Sequence, residues 1–240
     1  MGVILTRPTR DSERLAKIFC QRGIKTILSP LLSPKLRPLE ASKVQGDVIC
    51  IATSQYALPA LLPTFSKKAL LVVGDHTANQ ALKLGFQDVV RAGDTVRELL
   101  AYITLHISVH TFLFYARGRN ISFPISRALS ERGYVITEQI VYEMQEVAEL
   151  KKAAIEALQH SVPYGVCLFS TRSASIFEAL ISAAHLSDHL HNHLLIGFSK
   201  NISDKLLHFR WRNVLWCKKP SLVEFWQLIE NHQGLLGGGE

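Results

Sequence analysis

A chain of 240 residues with 48% hydrophobic side chains can bury a core in one large domain or in two of about 120 residues, which excludes a disordered chain. Lysine and arginine outnumber aspartate and glutamate by 27 to 20, and the resulting +7 favours an anionic partner: nucleic acid, phosphate metabolite or polycarboxylate. No apolar run approaches the roughly 20 residues of a membrane span, and the opening MGVILTRPTRDSE turns polar too early for a signal-peptide core, so no membrane association and a cytoplasmic location are expected.

Short apolar runs recur at residues 3–5, 48–51, 70–73, 111–114, 166–169, 194–196 and 214–216. Their continuous rather than alternating hydrophobicity suits strands buried on both faces of a parallel sheet. Between them apolar residues fall at helical spacing, as Leu15, Ile18 and Phe19 do, and again Ile176, Phe177 and Leu180. The pattern predicts β-then-α alternation throughout. Two helix starts carry the same capping box, Thr95 with Glu98 and Ser221 with Glu224. Cys20, Cys50, Cys167 and Cys217 lie far apart with no CxxC and read as small buried hydrophobes. The glycine-rich end, 237–240, reads as a disordered tail.

The chain also matches itself. Residues 49–57 (ICIATSQYA) align with 166–174 (VCLFSTRSA), and 72–82 align more loosely with 197–206. Residues 5–7 and 21–23 match 115–117 and 131–133, so the order is A, B, A′, B′. The proline-rich stretch 28–38 reads as an extended crossover, and 136–144 as its strand-like counterpart. Paired antiparallel as a two-stranded bridge, these segments put B with A′ and A with B′. The predicted first α/β domain is therefore discontinuous, 1–34 plus 145–240, and the second spans 38–140. Each is expected to be a flavodoxin-like parallel sheet with binding loops at the carboxyl ends of its strands.

The candidate site residues follow from that geometry. Thr53 and Ser54, and Ser170 and Thr171, stand between an apolar strand and a helix, where hydroxyls and helix-start N–H groups can grip carboxylates or simply cap the helices. Gly74 through Thr77, and Ser199 with Lys200 and Asn201, occupy comparable turns that admit an anion or serve as plain turn chemistry. Arg7 and Arg117, equivalent in the repeat, can supply positive charge to a cleft or remain solvated. Tyr142, at the end of the second bridge segment, is either a half-buried strand tyrosine or a phenol able to assist a leaving hydroxyl.

Signatures for dinucleotide binding, P-loop hydrolysis, serine esterase chemistry and zincin proteolysis are absent. His185 and His189 share one face at i,i+4 and can hold a metal there, but no pattern of supporting carboxylates accompanies them and a polar loop explains the cluster, so no metal is expected.

Taken in order, residues 4–8 (ILTRP), 52–54 (ATS) with Ala57, Val73, Gly74, Thr77, Ala78, Leu82 and Gly85, Arg117 and Gly118 with Leu129 and Gly133, Val141 and Tyr142, and 169–171 (FST) with Ala174 resemble the uroporphyrinogen-III synthase family. The resemblance covers about residues 3 to 230 and lies in order and spacing rather than in one sharp motif. It implies two flavodoxin-like domains, a two-stranded bridge, and cofactor-free conversion of hydroxymethylbilane to uroporphyrinogen III in the cleft between the domains. Tyr142 matches the bridge tyrosine to which the family's hydroxyl-loss step is usually assigned, and Gly118 joins the substrate-binding set. Ile202 departs from the family's Gly-x-x-Thr-Ala turn, which removes a hydroxyl from that contact; Ser203 or Asn201 can substitute.

Two other readings compete. A two-lobed sensor for an acidic metabolite would share the fold and differ only in lacking turnover. A nucleic-acid-binding protein would show a basic footprint, whereas here the charges are scattered, so no nucleic-acid partner is expected. The chain is expected to act as a monomer on a small polycarboxylate.

Overall fold

The computed structural model describes residues 2–40, 42, 44 and 46–236, so the glycine-rich tail lies outside the described residues. In chain order the elements are β1 (Gly2–Leu5), α1 (Thr9–Gln21), β2 (Lys25–Leu28), β3 (Leu32–Leu36), β4 (Val48–Ala52), α2 (Leu58–Phe65), β5 (Ala69–Val72), α3 (Gly74–Leu84), β6 (Asp88–Arg91) and α4 (Val96–His106). They continue as β7 (Phe112–Gly118), α5 (Ile125–Ser130), β8 (Ile136–Glu146), α6 (Lys152–Gln159), β9 (Tyr164–Leu168), α7 (Thr171–Ala183), β10 (Leu194–Gly197), α8 (Lys200–Asp204), β11 (Asn213–Trp216), α9 (Leu222–Asn231) and α10 (Gln233–Leu236). Two compact units result: Met1–Ser33 with Gln145–Glu240, and Pro34–Met144.

The first unit carries a five-stranded sheet ordered β11-β10-β9-β1-β2, every neighbour parallel. Successive side chains of a strand point to opposite faces, and the core divides accordingly. Ile4, Val166, Leu168 and Leu195 pack with Leu158 of α6 and Phe177 and Ile181 of α7. Val3, Leu5, Cys167, Leu194 and Ile196 pack on the other side with Phe19 of α1 and Phe225 and Ile229 of α9. Helices on both faces explain why these strands read as unbroken apolar runs.

The second unit has six strands ordered β3-β8-β7-β4-β5-β6. Cys50, Ala52, Leu70, Val72 and Phe114 meet Leu58, Leu61 and Phe65 of α2 on one face. Ile51, Leu71, Leu113 and Tyr115 meet Leu99 and Ile103 of α4 on the other. β8 runs parallel to β7, with a register shift between Arg117 and Gly118 that sets Gly118 opposite Tyr142. Its other edge takes β3: the Arg37 N–H donates to the Val141 carbonyl and the Val147 N–H to the Leu31 carbonyl, so one strand rises as the other falls and the pair is antiparallel.

Read from β1, the first sheet has spatial order β2-β1-β9-β10-β11; read from β7, the second has β8-β7-β4-β5-β6. Both are the 2-1-3-4-5 order of doubly wound folds. In the second unit, the strands that open the pattern come last in sequence.

Both capping boxes form, with one difference from the simple motif. Thr95 Oγ1 accepts from Glu98 N (3.2 Å) and Ser221 Oγ from Glu224 N (3.1 Å). The glutamates reach beyond the cap residue itself: Glu98 accepts from Asp94 N at 2.6 Å, and Glu224 from Lys218 N and Lys219 N at 2.7 Å each. Each carboxylate thus ties the incoming loop to its helix. Cys50, Cys167 and Cys217 are buried as expected, whereas Cys20 departs from that expectation and lies exposed near the end of α1. Among the described residues no helix is long and apolar enough to cross a membrane.

Candidate active site

In the second unit β4 lies between β7 and β5 and runs parallel to both, so their carboxyl ends form one rim. β4 stops at Ala52, and Thr53 and Ser54 lead into a 3-10 turn, Gln55–Ala57. Ser54 is extended (φ −152°, ψ 140°) and its Oγ accepts from the Tyr56 N–H at 3.4 Å. The same hydroxyl is hydrogen-bonded to the Tyr142 phenol. Beside it, Thr53 Oγ1 lies 2.9 Å from Tyr115 Oη. The two hydroxyls that close β4 are therefore each matched with a tyrosine, one from β8 and one from β7.

Tyr142 is half-buried, with its ring centroid 5.9 Å from that of Tyr56 at 48°. The other wall of its slot is the bare α-carbon of Gly118. The Tyr142 carbonyl accepts from Arg119 N at 3.0 Å, which pins the strand beside the register shift. Burial raises the Tyr142 phenol above its ordinary value, and the bond to Ser54 offsets part of that rise. Tyr115 is likewise raised, chiefly by burial. Both phenols therefore carry their protons at neutral pH.

Arg117 is drawn into local work. Its Nη2 lies 2.8 Å from Glu138 Oε1, and Nη1 donates to the carbonyls of Gly118 (3.1 Å) and Arg119 (3.2 Å). On β8 the Glu143 carboxylate takes Arg119 at 2.6 Å and Arg37 at 3.0 Å, and these bonds hold it below the usual range. On the neighbouring strand end, Gly74 opens α3 with φ +74°, a left-handed conformation that suits glycine, and its N–H donates to the Gly93 carbonyl at 2.8 Å. Thr77 is buried one turn into that helix. Neither the Gly74 N–H nor the Thr77 side chain stands open at the rim.

The rim of the first unit likewise sets a hydroxyl pair between a strand and a helix. Ser170 caps α7, accepting from Ser173 N at 3.0 Å and sharing a 2.8 Å bond with the Ser173 hydroxyl, while Thr171 is exposed at the first helical position. The Arg7 guanidinium lies 5.2 Å over the Phe169 ring and 3.8 Å from Asp11. Ser199 is extended before α8 and makes no side-chain cap bond, which leaves its hydroxyl available for other work.

The second unit thus brings together Thr53, Ser54, Arg117, Gly118 and Tyr142, with Gly74 and Thr77 on the adjoining strand end. The first groups Arg7, Ser170 and Thr171, with Ser199 one strand away. Sequence reasoning passed over Tyr115 and Tyr56. Tyr115 adjoins an apolar run and Tyr56 opens no motif, and only three-dimensional pairing with Thr53 and Tyr142 marks them. Among the described residues no group of three His, Cys, Asp or Glu side chains is placed to hold a metal ion. His193 of the histidine cluster is instead a buried structural group: its Nδ1 accepts from Tyr164 N (3.1 Å) and its Nε2 meets the Leu158 carbonyl (2.9 Å).

A family model described as Uroporphyrinogen-III synthase HemD matches residues 13–227. Among solved structures, the uroporphyrinogen-III synthetase from Helicobacter pylori 26695 is similar at 20% identity and a TM-score of 0.60, with 97% of this chain and 100% of that chain covered. A mutant uroporphyrinogen III synthase from the extremely thermophilic bacterium Thermus thermophilus aligns over 98% of this chain and 99% of its own, at 15% identity and a TM-score of 0.45. No curated protein matches the chain.

Proposed function

We propose that this chain, which belongs to the uroporphyrinogen-III synthase family, closes hydroxymethylbilane to uroporphyrinogen III with the Tyr142 phenol assisting departure of the hydroxymethyl oxygen. The pyrrole electrons expel that oxygen, which takes a proton from the phenol and leaves as water. The azafulvene so formed is attacked from the far end of the chain to give a spiro intermediate, and fragmentation and reclosure invert the last ring. The proton lost as the pyrrole regains aromaticity restores the phenol. Orientation does much of the work, because the bilane closes unaided to the other isomer and the protein must hold its ends in the productive shape.

The observation that carries the site reading is the Tyr142 phenol itself. It is protonated, hydrogen-bonded to Ser54 and held between Tyr56 and Gly118 at the carboxyl end of a parallel sheet. Ser54 accepts the Tyr56 N–H, so its own proton is free to go to Tyr142 Oη, and this leaves the phenol proton for the substrate. Thr53, Thr171, Ser199 and Arg7 are the groups best situated to meet the substrate's carboxylates. Ser170 and Thr77 support the loops behind them, Gly74 and Gly118 provide backbone room, and Arg117 steadies the end of β7. Cys20, Cys50, Cys167 and Cys217 are free thiols, which fits a reducing compartment and supports action in the cytoplasm, and the substrate contacts named here do not call for a second copy.

The deciding experiment is product isomer analysis. Purified protein is given freshly generated hydroxymethylbilane, and the oxidised uroporphyrins are separated by chromatography. Predominantly isomer III is expected; isomer I at the rate of the protein-free control would leave a non-catalytic acidic-metabolite sensor as the better reading.

A further inference from the structure

Tyr115 is a buried titratable group that the reaction outlined above does not use. It is 2% exposed and packed among Ile51, Leu71, Leu113 and Leu129, an expensive place for a polar atom without a purpose. Its hydroxyl lies 2.9 Å from Thr53 Oγ1, and Thr53 itself is half-buried at the rim. A core tyrosine needs only some partner, and a backbone carbonyl would serve. Here the partner is the side chain of a candidate substrate contact.

The direction of that bond matters. A phenol is the stronger donor and weaker acceptor of the two hydroxyls, because its lone pair is delocalised into the ring. With the Tyr115 proton directed to Thr53 Oγ1, the threonine oxygen already accepts, and its own proton turns away from the core toward the rim. We propose that Tyr115 is a positioning residue that fixes the Thr53 hydroxyl as a donor aimed at a substrate carboxylate. At Ser54 the sense is reversed because its Oγ already accepts the Tyr56 N–H, which turns the serine proton to Tyr142 Oη. One tyrosine orients a hydroxyl for binding; the other is oriented by a hydroxyl for chemistry.

This inference rests on the reading of Thr53 as a carboxylate contact, and its test uses equilibrium binding so that it does not depend on turnover. Calorimetric titration with uroporphyrin III, a stable octacarboxylate, is carried out on the parent, Tyr115→Phe, Thr53→Ala and the double variant. Tyr115→Phe should weaken binding by about fivefold, the scale of one misdirected hydrogen bond. In the Thr53→Ala background it should change the affinity by less than about twofold, since no rotor remains to be aimed. Thr53→Ser, which keeps the hydroxyl, should restore the sensitivity to Tyr115→Phe. An equal loss in both backgrounds would make Tyr115 a purely structural residue and overturn the proposal, as would parent-like affinity in Tyr115→Phe or no binding to the parent. Isomer analysis on the same samples keeps the two ideas apart: isomer I alone would end the synthase reading while the binding cycle still decides on Tyr115.

Discussion

A Cβ built on Gly118 would stand 2.6 Å from Cζ and 2.8 Å from Oη of Tyr142. The phenol ring therefore lies directly against a bare backbone, and a single methyl group is enough to dislodge it. An aromatic ring cannot bend away as a lysine tail would, so Gly118→Ala should tilt the ring out of its slot. A displacement near 1 Å from productive geometry can cost about 10²-fold in rate. We expect kcat for isomer III to fall on that scale with KM little changed, measured by initial rates. An unaltered kcat would show that the ring's placement is immaterial.

Tyr142→Phe keeps the ring and removes only the hydroxyl. Loss of a general acid typically lowers turnover by about 10² to 10⁴, and the urea midpoint of unfolding should stay near that of the parent. Because burial raises the phenol above its ordinary value near 10, the acid stays protonated through neutral and mildly alkaline pH. Turnover should not decline for this reason between about pH 7 and 9. The Ser54 bond pulls the phenol's pKa down, so Ser54→Ala should move any alkaline limb of the kcat profile to higher pH; a shift to lower pH would reverse the assigned direction of that bond.

Arg117→Met tests whether this guanidinium holds the protein or the substrate. It would remove the ion pair from Glu138, which keeps the Ser126 hydroxyl, and the side-chain donor from the carbonyls of Gly118 and Arg119. Losing such a charge-assisted set around a mostly buried side chain should cost about 1–3 kcal/mol, read as a lower urea midpoint. A parent-like midpoint with a raised KM would reassign Arg117 to direct substrate contact.

His193 should make the first unit acid-sensitive. The neutral imidazole carries its proton on Nε2, toward Leu158 O, and accepts from Tyr164 N at Nδ1; protonating Nδ1 would set two donors face to face. Burial lowers its pKa below the ordinary value, with the Leu158 bond opposing. Between the lowered folded value and about 6.5 the unfolded chain binds more protons than the folded one, so stability is present above about pH 6.5 and lost as pH falls. Urea midpoints taken from pH 7.5 to 5 should fall, and should fall less in His193→Gln. Equal slopes in the two proteins would remove His193 as the cause.

Central strands were legible in the sequence because burial on both faces leaves a run of apolar residues, as in β1, β4 and β9. β2 and β6 were not. Each closes one edge of its sheet and begins with an exposed charged residue, Lys25 or Asp88, so it carries no such run. The bridging segments were read as a two-stranded ribbon, but β8 also pairs parallel with β7 over Leu113 to Gly118, a contact with no local signature. Among candidate site residues, the hydroxyls at strand ends could be listed from order alone. Their different tasks could not: whether a strand-end hydroxyl caps a helix or meets a phenol depends on Tyr115 and Tyr142, which are distant in sequence. The reach of Glu98 and Glu224 past their caps, though local, depends on how the incoming loop folds back on its helix.

The position of β1 between β2 and β9 has a consequence for the chain as it is made. β1 and β2 leave the ribosome before the second unit, yet β9 begins only at Tyr164, after the whole of that unit. At about 5–20 residues per second, Val3, Ile4 and Leu5 wait on the order of ten seconds for the neighbour that covers them. The second unit, contiguous from Pro34 to Met144, can finish folding in that interval. β1, made before the second unit, is therefore enclosed only after it, and an exposed apolar strand with an open edge is the kind of segment that recruits other chains. The interleaved strand order makes the yield of folded protein sensitive to whatever shields β1 and β2 while the second unit is being made.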